Sequence, residues 1–162
     1  MSPTSTRDEG GESLKKLFLF LLLPLIALLL PVSVIGVEFD GAECYYHVES
    51  NSSLEIHYTH SVSLTKVVDV YRVSPNGIYF VQERWQEFLA GQPIEFNYRS
   101  GTFYVKNANE FLGTSWRYWF IPVNNATIII DGKTAFVQPP EEGILEIRTQ
   151  KIPLVLLILR RC

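Results

Sequence analysis

The chain has 162 residues, enough for one compact domain and hardly for two. A net charge of −3, with 14 basic and 17 acidic residues scattered along the chain, leaves no basic stripe of the kind a phosphate backbone demands, so no nucleic-acid partner is expected. Aromatic content of 13%, 10 Gly, 9 Pro and a single Met suit β-structure better than a helical bundle.

In chain order, residues 1–16 read as a short polar cytoplasmic leader ending in Lys15 and Lys16. Leu17 to Val37 carries no charge. As a helix that run would rise about 31 Å, matching a hydrocarbon core of roughly 30 Å, so residues 17–37 are expected to form a transmembrane anchor in contact with the lipid bilayer. Pro24 and Pro31 fit a membrane helix better than a soluble one. The lysines precede the span and Glu38, Asp40 and Glu43 follow it, which leaves the N-terminus in the cytoplasm and residues 38–162 extracytoplasmic. A signal peptide cut after Gly36 is the alternative, but the run exceeds a signal core and lacks an A-x-A site, so an uncleaved anchor (or uncleaved signal) is expected.

Beyond Val37 the hydrophobic period becomes two. Leu54, Ile56, Tyr58, His60 and Val62 share one strand face, and Glu55, His57, Thr59 and Ser61 the other. VVDVYRV and IYFVQERW, joined by SPNG at Ser74 to Gly77, predict a hairpin. IEFNYRS, TFYVKN, SWRYWFIP, ATIIID with its Asp131-Gly132 turn, KTAFVQ and ILEIRT supply further strands. The expected fold is all-β, a single sandwich or barrel-like domain after one transmembrane helix. The final run IPLVLLILRRC is too short to span a bilayer; it is expected to be a buried terminal strand, the alternative being an interfacial foot with Arg160 and Arg161 at lipid headgroups.

Cys44 and Cys162 both fall on the outer side, where oxidising surroundings permit a disulfide, and whether they pair is left open by sequence. Their spacing fits no zinc or haem motif, so no metal or cofactor is expected. Sequons at Asn51 and Asn125 sit in polar turns that would tolerate a glycan. His57 and His60, three apart on a strand, face opposite ways and make a poor chelate. His60 and Ser61 likewise point apart, and no hydrolase, metalloprotease or nucleotide-binding fingerprint occurs, so no catalytic residue is assigned. For His60 with Asp69 two readings stand: a buried hydrogen-bonded pair that fixes strand register, or a ligand or catalytic site.

The segment HSVSLTKVVDVYRV resembles the HSVE-x-x-PV-x-E-x-Y-x-V signature of domain-of-unknown-function family 1850. His60, Ser61 and Val62 match, Asp69 stands at the usual Glu, and Tyr71 and Val73 follow in register. FLAGQP, with Phe88, Gly91 and Pro93, is similar to a second element of that family. Ser63, Lys66 and Leu89 depart from the pattern. The resemblance implies a small anchored or exported β-protein that accompanies TRAP transporters of the TAXI class, with His60, Ser61, Asp69, Tyr71, Phe88, Gly91 and Pro93 as its binding motif. The expected function is therefore a non-enzymatic accessory or interaction protein at the cell membrane. The alternatives are a small-ligand binder lined by Tyr58, Trp85, Phe88 and Trp116, or a small hydrolase or metal-dependent enzyme using His60 and Asp69 with Glu83.

Overall fold

A computed structural model describes residues 9–87 and 95–162, with side chains from residue 15 onward except that of residue 17. Helix α1 (Glu9–Leu29) is followed at once by strand β1 (Pro31–Phe39). The expected span of residues 17–37 therefore divides, and its last seven residues belong to the sheet. Pro31 causes the break: it disfavours helical geometry at Leu30, and the β-branched Val32, Val34, Ile35 and Val37 then favour an extended chain. No helix among the described residues is long and apolar enough to cross a membrane. Cleavage after Gly36 would cut β1 in two and remove Val34 and Ile35, both fully buried.

The body is all-β and consists of two antiparallel sheets. β1, β2 (Ala42–His47), β8 (Ser115–Phe120) and β11 (Gly143–Pro153) form one, in the order β2-β1-β11-β8. The other contains β3 (Ser52–Thr59), β4 (Lys66–Ser74), β5 (Gly77–Trp85), β6 (Tyr98–Ser100), β7 (Phe103–Gly113), β9 (Thr127–Ile130) and β10 (Lys133–Val137), in the order β10-β9-β3-β4-β5-β7-β6. Ile35 and Val37 of the first sheet meet Leu54, Ile56, Tyr71 and Ile128 of the second in one buried core, as in a sandwich. The expected β4–β5 hairpin is present, and Asp131 and Gly132 turn β9 into β10 with φ of 48° and 76°.

β1 and β11 pair along their length, from Pro31 opposite Pro153 to Phe39 opposite Leu145. The β1–β11 ladder ends at Pro153, because β1 begins at Pro31. The run Leu154–Leu159 therefore satisfies its own backbone as a short helix, α2, and is not the terminal strand expected from its hydrophobicity. Leu156 and Leu157 pack against Val34, Tyr45 and Ile152 on the outer face of the four-stranded sheet. The amide of Leu154 donates to the Leu30 carbonyl at 3.0 Å, so α2 starts where α1 ends.

After α2 the chain returns to the edge of β2. Tyr45 N–H donates to Arg160 O at 2.7 Å, and Cys162 N–H donates to Tyr45 O at 3.1 Å. Cys44 and Cys162 are joined in a disulfide, with Cα atoms 4.9 Å apart and a sequence separation of 118. A covalent loop of that length restricts the unfolded chain and is worth about 4–5 kcal/mol in the chain-entropy model. Replacing both cysteines by serine is expected to lower the stability of the domain by about 2–5 kcal/mol, read as a fall in Tm that reductant reproduces in the parent chain. An unchanged Tm in both experiments would contradict the linkage.

Candidate functional site

The residues of the family-like signature lie on β3, β4 and the loop between them. β4 is buried on both faces, with Val67, Asp69, Tyr71 and Val73 on one and Val68 and Val70 on the other. A bulge in β5 decides what stands beside them. Val70 pairs with Gln82 and Tyr71 with Phe80, leaving Val81 as the extra residue. The alternation reverses there, so Ile78 and Phe80 before the bulge and Glu83 and Trp85 after it share the face of Asp69 and Tyr71.

On that face Asp69 is 5% exposed. Tyr118 reaches across from β8 in the other sheet and donates its hydroxyl hydrogen to Asp69 Oδ2 at 2.6 Å. The Tyr71 hydroxyl is bonded to the Tyr118 hydroxyl. With the Tyr118 proton directed at the carboxylate, Tyr71 is the donor in that second contact. The ring of Tyr118 also stacks on Phe120, with centroids 5.1 Å apart and planes 7° off parallel. A hydrogen-bonded chain from Tyr71 through Tyr118 to Asp69 therefore ties one sheet to the other.

Burial pushes the Asp69 carboxyl up to about 7; the Tyr118 hydrogen bond pulls against this, while the neighbouring Glu83 charge adds to it. The phenols of Tyr58, Tyr71 and Tyr118 are each raised, first by burial and then by the Asp69 charge, and remain protonated donors. Asp69 Oδ1 and the indole Nε1 of Trp85 are both buried without a hydrogen-bond partner. An unsatisfied acceptor and an unsatisfied donor thus stand on adjoining strands.

His60 is not the partner of Asp69. It follows the last residue of β3, and its backbone closes the loop through bonds to Thr65 and Leu64, both at 2.9 Å. Its Nδ1 lies 3.0 Å from Ser63 Oγ and accepts from the Ser63 amide at 3.3 Å, which places the ring proton of the neutral imidazole on Nε2. The ring packs edge-on against Trp85 at 5.4 Å. Among the described residues no hydrogen bond or ion pair joins it to Asp69, whose hydrogen bond comes instead from Tyr118.

Of the remaining expected site residues, Tyr71 is part of the cluster and Ser61 is exposed. Phe88, Gly91 and Pro93 lie outside the described residues. Asn51 and Asn125 are exposed, as glycan acceptors require. His57 turns outward to Glu55, 2.7 Å away, and no group of three His, Cys, Asp or Glu among the described residues could hold a metal. A separate cleft of about 460 Å³ lies at the helical end of the sandwich, between α2 and residues that include His47, Glu49 and Asp131. Tyr118 is the residue sequence reasoning missed. In SWRYWFIP three aromatics compete for the inner face, and nothing local indicates that one of them meets Asp69.

A family model described as a domain of unknown function (DUF1850) matches residues 54–136, from β3 to β10. No significant match was found among curated proteins or among solved structures.

The sign of the pH dependence follows from Asp69. Its unfolded value is near 3.8 and its folded value about 7, so between them the unfolded chain has released a proton that the folded chain keeps. The contribution of Asp69 to stability is full below the lower value and is lost as pH rises through the upper one. Asp69→Asn keeps an acceptor for Tyr118 and removes the buried charge. At about pH 8 it is expected to be more stable than the parent by on the order of a few kcal/mol, and its Tm should vary less between about pH 4 and 8. A variant less stable than the parent at the upper pH, with the parent's slope retained, would contradict the buried-acid assignment.

Proposed function

We propose, from the premise that this chain belongs to the DUF1850 family, that it is a membrane-tethered accessory domain acting outside the cytoplasm by binding a partner. The observation that carries this reading is α1. Its apolar side chains are exposed around the helix, with Phe18 at 67%, Phe20 at 76%, Leu21 at 62% and Leu29 at 63%, and it enters β1 with only Leu30 between them. A helix apolar all round needs an apolar solvent, and a lipid bilayer supplies one. The Cys44–Cys162 disulfide supports an oxidising, extracytoplasmic setting for the sandwich.

The partner class implied by the family resemblance is a TAXI-type TRAP transporter. A surface suited to such a contact exists on β8, one of the two edge strands of the four-stranded sheet. Trp119 is 68% exposed and stands opposite Ile144, 53% exposed, on β11. An aromatic and an aliphatic residue presented together on an outer sheet face fit the anchor residues of a protein interface. A second reading, small-ligand binding at the tyrosine–aspartate cluster, is favoured by the unpartnered Asp69 Oδ1 and Trp85 Nε1.

Tagged protein purified from native membranes tests the first reading. The chain is expected to stay with membranes through an alkaline carbonate wash and to recover transporter subunits, and Trp119→Glu is expected to cut that recovery about tenfold without changing Tm. Release by carbonate would remove the tether. Recovery without transporter subunits would remove the proposed partner.

A further inference from the structure

We propose that α2 is a lipid-contacting foot: Ile158 and Leu159 sit at the headgroup–acyl boundary of the bilayer that α1 enters, and Arg160 and Arg161 meet lipid phosphates. The inference rests on the tether reading of α1 and deepens it.

The argument begins with a shortfall in length. The uncharged part of α1 and its junction run from Leu17 to Leu30, because the chain becomes a sheet strand at Pro31. At helical rise these fourteen residues, the last of them the junction Leu30, span about 21 Å at most, roughly 9 Å less than a bilayer's hydrocarbon core. Lysine side chains at positions 15 and 16 make up part of the difference at the inner side by snorkelling. At the outer side, further apolar surface must lie at the end of the domain where α1 meets it.

α2 supplies that surface. It leaves β11 at Pro153, directly opposite the start of β1, and its first amide is bonded to Leu30 O. One side of it is committed to the domain through Leu156 and Leu157. Its last two residues are not: Ile158 is 59% and Leu159 73% exposed. Two exposed arginines follow immediately, and Lys151 is exposed on the strand just before. Guanidinium groups pair well with phosphate oxygens, so apolar residues followed by arginines reproduce the depth order of a phospholipid leaflet.

Backbone hydrogen bonds and the disulfide hold the foot in place. The backbone bonds to Tyr45 and the Cys44–Cys162 disulfide fix the chain just beyond Arg161, and the bond to Leu30 fixes the start. α2 is thus a closed excursion with both ends pinned to the sheet. Such a device suits a rigid footing and sets the tilt of the sandwich over the membrane.

The test uses the full chain in vesicles of phosphatidylcholine and phosphatidylglycerol, with acyl chains brominated close to the ester group. Leu159→Trp places a quenchable indole on the foot, and Glu142→Trp, just before the opposite end of the eleven-residue strand β11, serves as the remote control. With parent emission subtracted, the added fluorescence at position 159 is expected to fall by about half or more in brominated vesicles and that at position 142 to stay unchanged, a contrast the dry-boundary placement requires. Adding Ile158→Glu should abolish the quenching while the disulfide and the circular dichroism remain. Vesicles that float with the protein but leave position 159 unquenched would overturn the foot and leave the tether standing. Protein that does not float with the vesicles would overturn both.

Discussion

The pairing of β1 with β11 is the constraint on which the rest of the molecule depends. Its register sets Pro31 against Pro153, so the segments at the two ends of the chain leave the sandwich side by side. The helix before β1 and the helix after β11 therefore share one end of the domain, and the last residue lies close enough to β2 for a disulfide. Ile35 and Val37 on β1 and Leu145 and Ile147 on β11 supply the first sheet's part of the core. Removing β1 would open the core, unseat α2 and separate the cysteines together.

The second organising element is the carboxyl group of Asp69. A buried acid is costly when ionised, and three tyrosines gathered around it share that cost through hydrogen bonding and stay protonated themselves. One of those tyrosines comes from the opposite sheet, so the polar group specifies how the sheets face each other as well as register within one of them. His60 contributes differently. It stiffens the β3–β4 loop through Ser63, the position at which this chain departs from the acidic residue of the family signature, and it lays an edge against Trp85.

Much of the fold was legible in the sequence, because period-two alternation and turn residues act locally. The β4–β5 hairpin at SPNG and the β9–β10 turn at Asp131-Gly132 follow from those signals directly. Two boundaries lie elsewhere than hydrophobicity alone indicates. The run from Leu17 to Val37 is uniformly apolar, yet Pro31 and the β-branched residues after it favoured a strand, and composition cannot reveal that β11 offers that strand a partner. Leu154 to Leu159 is apolar and short like a strand, but its neighbour had already ended. In the candidate site, Asp69 and Tyr71 were identified through the family signature and Tyr58 as a lining residue. The Tyr118 contact was not, because it joins residues 49 apart across two sheets and leaves no local mark in the sequence.

The claim that the apolar N-terminal run changes from helix to paired strand at Pro31 can be tested most directly by nuclear magnetic resonance of the full chain in lipid nanodiscs. Carbon chemical shifts from Val32 to Val37 are expected to be strand-like, with cross-strand contacts between Val37 and Ile147 and between Ile35 and Thr149, the residues set opposite each other in the ladder. Helical shifts continuing from Leu30 to Val37, without those contacts, would contradict the account.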